Sequence, residues 1–243
     1  MSDTIENVLI LQGGGSLGAF GCGVFKALAQ NKIKIDIIAG TSIGGLNAAI
    51  IAGSKEDHPE RELEQYWLEL AEGSTYLNSP FIEWLAGYPL STLISTASPS
   101  PPRSATPTIP TSAHPATTHI LQLKSIMSFY NSAFYGNDKV FVPRWRPEFT
   151  FTDPQYFTPA KWTYLYDHSP LVKTAEKYID YSKLQPSGKP NSRLIITAVN
   201  VLTAEPLIFD STKQQINSKH ILAATGYPSY YFRWVEWSVC LAL

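Results

Sequence analysis

The sequence predicts an α/β protein built on a mostly parallel central sheet flanked by helices, and three observations carry that expectation. Residues 7–12, "NVLILQ", form a short continuous apolar run of the kind that makes a buried parallel strand, and the run breaks into Gly13, Gly14 and Gly15. From Gly18 to Gln30 the residues Phe20, Val24, Ala27 and Leu28 recur at helical spacing. "IDIIAG" over 35–40 then reads as a second strand and "IGGLNAAIIAG" over 43–53 as a second helix. Strand, helix, strand and helix joined by short turns make a right-handed parallel crossover.

Further along, Glu60 to Glu72 reads as a helix that covers the sheet, with Leu63, Trp67 and Leu70 on one face and acids on the other. Residues 89–118 are dominated by proline, serine and threonine, with Arg103 the only full charge and no periodicity, so they are expected to be a flexible insertion. The stretch from Tyr130 to Tyr166 is rich in aromatics, and Phe149, Phe151, Tyr156, Phe157, Trp162 and Tyr164 are expected either in the core or around an apolar cavity. "SPLVKTAEKYID" over 169–180 has Leu171, Ala175 and Tyr178 in helical phase. "RLIITAVNV" over 193–201 and "PLIF" over 206–209 read as neighbouring strands across a turn at Leu202 to Glu205, and "SKHILAATG" over 218–226 as a short helix stopped by Gly226.

Bulk properties narrow the function. The chain has 243 residues, 44% hydrophobic and 16% charged, enough for one sizeable core. A net charge of -1 gives no electrostatic footprint for a phosphate backbone, so no nucleic acid is expected as a partner. Cys22 and Cys240 are the only cysteines, which argues against a disulfide framework. The N-terminus carries acids where a secretion signal carries basic residues, and no run approaches the roughly 20 apolar residues of a membrane span. A soluble cytoplasmic chain, peripheral at membranes at most, is the expectation. There is no zinc spacing and no calcium loop, so neither a metal nor another cofactor is implied.

Two motifs sit at the first two strand ends. Gly40, Thr41, Ser42, Ile43 and Gly44 satisfy G-x-S-x-G between a strand and a helix, the nucleophile elbow, in which a strained turn lifts the serine hydroxyl clear of the sheet. The glycines are needed because a Cβ at either position would collide with the neighbouring chain. The pattern alone arises by chance in roughly 8% of chains of this length. Gly13, Gly14, Gly15 and Gly18 form a second rare pattern after a strand, and it has two meanings. It matches the G-x-G-x-x-G dinucleotide fingerprint, which also needs an acid at the far end of the second strand, whereas Asp36 stands at the start of that strand. Alternatively, the amides of Gly13 to Gly15 converge on the carbonyl oxygen of an ester attacked by Ser42, forming an oxyanion hole.

"LQGGGSLGAFGCGV" followed by "IIAGTSIGGLNAAIIAG" resembles the patatin-like phospholipase family, and "DHSPL", "RLIITAVNV", "FD" and "HILAATGYPSYYFRWVE" are similar to family sequence in the same order. The resemblance covers most of residues 8–53 and 167–236. It implies one three-layer α/β domain over 1–243, C-terminally incomplete, that hydrolyses acyl esters of lipids with transient contact to a membrane surface. It also implies that Ser42 is the nucleophile and that Gly13, Gly14 and Gly15 supply the oxyanion hole. Leu17 stands where many members carry a basic residue.

The resemblance also implies an aspartate base in an Asp-Gly-Gly or Asp-Gly-Ala motif, and the sequence has no Asp-Gly dipeptide; it ends seven residues after Glu236. A serine hydroxyl needs a base within about 3 Å, directly or through one water. Asp210 and Glu236 are the candidates left, ahead of Asp153, Asp167 and Asp180. His168 and His220 could build a three-residue system with an acid. Little or no hydrolysis is therefore expected of this chain, and the alternative is a catalytically inactive lipid-binding or regulatory version of the fold.

Overall fold

The structure, a computed structural model, describes residues 5–73, 134, 136–226, 232–233, 235–236 and 241–242. The chain divides into two compact units, Met1–Leu70 with Asp138–Leu243, and Ala71–Asn137. The first unit holds both glycine motifs; the 89–118 insertion belongs to the second and lies outside the described residues.

The first unit is organised on a four-stranded sheet of β1 (Val8–Leu11), β2 (Ile37–Thr41), β5 (Arg193–Val199) and β6 (Pro206–Asp210), in that order across the sheet. The first three strands are parallel and β6 runs antiparallel to β5, so the mostly parallel sheet expected from the α/β rhythm is what forms. Register aligns Leu11 with Gly40 and Thr41 with Thr197, which brings the glycine loop after β1 and the serine turn after β2 to the same sheet edge.

Helix α1 (Gly18–Gln30) follows the glycine loop, and α2 (Ile43–Ala52) follows Ser42. Every residue of α2 is buried, because it packs at once on β1, β2, β5, α1 and the short helix α5 (Ser218–Thr225). Its apolar, small-residue sequence without a polar face is what such a central position demands. Helix α3 (Pro59–Gly73) covers this core with the expected Leu63 and Leu70 buried and Trp67 half-buried. Tyr66 and the acid Glu62 are buried as well, Glu62 because it accepts bonds from Ser54 Oγ at 2.5 Å and Lys55 N at 2.8 Å. Among the described residues no helix is long and apolar enough to cross a membrane.

Three differences from expectation have local causes. The helix over 169–180 stops early: α4 spans Ser169–Ala175, because Ile179 bridges to Ser54 and the Asp180 amide donates to the Gly53 carbonyl at 2.7 Å. β5 ends at Val199 because the Asn200 side chain accepts from the Leu202 amide at 2.9 Å and starts the turn early. The aromatic stretch walls no cavity with Phe151 or Phe157, which are 95% and 77% exposed. Instead, Trp162 and Tyr164 take the buried Arg144 guanidinium on their faces, 5.2 and 4.5 Å from the ring centres. In this region β3 (Val142–Pro143) pairs with β4 (Tyr166–Asp167), and β7 (Val235–Glu236) pairs with β8 (Leu241–Ala242).

Candidate active site

The site is built from two turns at the C-terminal edge of the parallel strands. Ser42 is the N-cap of α2 with φ 55 and ψ -131, left-handed backbone that a non-glycine residue adopts only under constraint. The constraint is visible next door. A Cβ on Gly44 would lie 2.2 Å from the Leu11 carbonyl oxygen and 2.6 Å from that of Gln12, so the chain after the serine is pressed directly on the end of β1. Gly40 is equally tight, with a Cβ 2.3 Å from the Gly44 carbonyl carbon. Ser42 is half-buried, and the Thr41 and Thr197 hydroxyls meet at 2.5 Å beside it, bonding β2 to β5 where the turn begins.

The glycine loop lies against that serine. A Cβ on Gly13 would stand 3.0 Å from Ser42 Cβ and 3.7 Å from its Oγ, so the absence of a side chain lets backbone approach the hydroxyl directly. Gly14 and Gly15 then adopt φ 138 and φ 58, conformations open to glycine, before a single 3₁₀ turn over Gly15–Leu17 leads into α1. Consecutive amides in such backbone make a concave, anion-accepting surface. The start of α2, capped by Ser42, brings the positive end of its helix dipole to the same turn.

The rim is apolar. Ile10, Leu17 and Phe20 are 72%, 73% and 78% exposed, and with Gly13, Gly18 and Val24 they flank a groove of about 380 Å³ beside β1 that Ser42 itself does not line.

Each candidate base whose side chain is described is engaged by another partner. Asp210 pairs in register with Ile195, three residues before the level of Ser42 and two strands away, roughly 14 Å by strand geometry. Its carboxylate is engaged twice by Arg193, which with the Thr212 bonds holds it far below the usual carboxylate range despite burial. Asp153 is held by Arg144 at 2.5 Å, Asp167 caps the Ser169 amide at 2.8 Å, and Asp180 binds Ser182 Oγ at 2.6 Å. His168 is buried, with Nε2 2.9 Å from the Leu222 carbonyl, and His220 is tied into the cap of α5 with Asn217. Burial lowers the pKa of both, which keeps them neutral near pH 7. The side chain of Glu236 lies outside the described residues. Among the described residues no group of three or more His, Cys, Asp and Glu could hold a metal ion.

Asn47 is a neighbour of the site that the two glycine motifs do not single out. Only 1% exposed, it donates from Nδ2 to the Gly18 carbonyl at 2.9 Å and accepts from Trp67 Nε1 at 3.1 Å. A signal for it exists in the sequence: Asn47 is the one strongly polar side chain in the run "IGGLNAAIIAG".

A family model described as patatin-like phospholipase matches residues 9–239. Patatin-like phospholipase domain-containing protein 7 of Mus musculus is 33% identical over 87 residues, 36% of this chain and 6% of that protein. Lysophospholipase nte1 of Aspergillus terreus (strain NIH 2624 / FGSC A1156) is 54% identical over 44 residues, 18% of this chain and 3% of that protein. The matches thus span only a few per cent of the length of these curated relatives. Among solved structures, VipD from Legionella pneumophila superposes with a TM-score of 0.44 at 13% identity, covering 98% of this chain and 45% of that one.

Proposed function

This chain belongs to the patatin-like phospholipase family, and on that premise we propose that it is a lipid acyl hydrolase in which Ser42 attacks the ester carbonyl while the amides of Gly13, Gly14 and Gly15 hold the oxyanion. The observation that carries the reading is the strained Ser42 backbone with the side-chain-free Gly13 pressed against it. In the reaction Ser42 Oγ bonds to the carbonyl carbon and gives up its proton. The tetrahedral oxyanion collapses, the leaving alkoxide takes up the proton that Ser42 released, and water then hydrolyses the acyl-serine to the carboxylic acid and the free Ser42 hydroxyl. The dinucleotide reading of the glycines finds no support, because the end of β2 is occupied by the serine turn and Asp36 pairs with Lys34 at the opposite end of that strand.

The exposed Leu17 and Phe20 beside the loop support a lipid substrate met at a membrane surface. Asp210, the leading candidate for the proton acceptor, is taken up by Arg193, and the side chain of Glu236 lies outside the described residues. A chain that lacked the acceptor would turn over on the order of 10⁴-fold or more below a complete catalytic unit. The engagement of Asp210 by Arg193 favours a second reading, a lipid-binding chain without turnover.

A fluorophosphonate probe separates the two. The hydrolase reading expects labelling on Ser42 that vanishes in Ser42→Ala, with slow p-nitrophenyl butyrate hydrolysis lost in the same variant. Equal labelling of the wild type and Ser42→Ala overturns Ser42 as nucleophile, and lipid binding with no labelling establishes the second reading.

A further inference from the structure

We propose that Asn47 is a positioning residue that fixes the glycine loop relative to Ser42, an inference that rests on the reading of that loop as the oxyanion site. The loop from Gly13 to Gly18 has little packing of its own: a Cβ on Gly15 would meet nothing within 4 Å. It is held at its two ends. Gly13 rests on Ser42, and the Gly18 carbonyl takes the Asn47 amide at 2.9 Å.

Ser42 and Asn47 cap and occupy the same helix, α2, whose residues are all buried. Nucleophile and loop are therefore referred to one rigid body five residues apart. Gly18 is also clamped sideways, since a Cβ there would lie 2.7 Å from Trp67 Cζ2 and 2.8 Å from Ile43 Cγ1. A buried primary amide is costly unless its donors and acceptor are used. Here the donor is spent on the loop and the acceptor on the Trp67 indole of α3. Leucine at 47 would fill similar volume and lose both bonds. Aspartate would keep the acceptor for Trp67 and set a carboxylate oxygen against the Gly18 carbonyl. Trp67→Phe removes both the indole bond and the Cζ2 contact with Gly18 but leaves the Asn47–Gly18 bond, so it isolates that bond as a demanding control.

The test compares wild type, Asn47→Asp, Asn47→Leu and Trp67→Phe at matched temperature below their melting midpoints. Two readouts are used, ¹⁵N order parameters of Gly14 and Gly15 and fluorophosphonate labelling kinetics. In the wild type and Trp67→Phe the order parameters stay near 0.85; in both Asn47 variants they fall below about 0.6. The maximal labelling rate drops about tenfold to hundredfold in the Asn47 variants with the half-saturating probe concentration within about twofold, and less than about threefold in Trp67→Phe. If Asn47→Leu does not fold, Asn47→Asp carries the comparison. A rigid loop in the Asn47 variants, or equal losses in Trp67→Phe, overturns the proposal. Absence of labelling in the wild type overturns the hydrolase reading instead, and the order parameters still decide the role of Asn47.

Discussion

Arg193 and Asp210 face each other from β5 and β6 through two hydrogen bonds, Nε to Oδ1 at 3.1 Å and Nη2 to Oδ2 at 2.5 Å, away from the sheet edge that carries Ser42. The carboxylate is buried and the guanidinium partly exposed, so the pair is structural and only partly screened. Asp210→Asn is expected to lower unfolding stability by about 2 kcal/mol at pH 7. Because the folded-state pKa is depressed, that stabilisation is fully present above the unfolded value near 3.9 and is lost as pH falls below it. Urea midpoints should show a constant gap between the wild type and the variant from about pH 5 to 8 that closes in acid. Were Asp210 also the base for Ser42, the variant would lose fluorophosphonate labelling as well as stability.

Ser42 stores strain. At φ 55, replacement by glycine removes a cost of about 1 kcal/mol, so Ser42→Gly is expected to raise the melting midpoint by about 2–4 °C while abolishing labelling. Ser42→Ala keeps the strained backbone and should leave the midpoint near the wild-type value.

Two glycine-to-alanine changes separate conformation from crowding. At Gly15 the alanine Cβ meets open space and only the φ of 58 is unfavourable, an expected loss of about 1 kcal/mol. At Gly44 it lies 2.2 Å from the Leu11 carbonyl, and the end of β1 must move, costing about 2–4 kcal/mol and displacing the serine turn. Denaturant titrations of the two variants measure the difference.

Buried His168 prefers to be neutral, its pKa lowered by burial, while in the unfolded chain it titrates near 6.5. The unfolded state therefore binds more protons below that value, and stability declines as pH falls through about 6.5. His168→Gln retains a donor for the Leu222 carbonyl and should flatten the slope of stability against pH between about 5 and 7.

The halves of the site were legible because each is written in contiguous residues. A glycine run ending one apolar strand and G-x-S-x-G ending the next define backbone positions, and parallel pairing of Val8–Leu11 with Ile37–Gly40 brings them together. What local pattern could not carry was tertiary. The Ser54–Ile179 bridge cut a periodic helix short, and the partner of Asp210 depended on Arg193, 17 residues away on a neighbouring strand. Asn47 reads as an oddity in an apolar helix until Gly18 and Trp67 are placed around it.

The complete burial of α2 has a consequence for how this site can change. Ten successive positions behind Ser42 touch protein on every side, and substitution there disturbs the core and the serine turn together. The exposed neighbours Leu17 and Phe20 are tethered to the same loop but packed against little. New substrate preferences, by natural drift or by a directed library, are accordingly expected to accumulate on the rim, with the post that carries the serine left almost invariant.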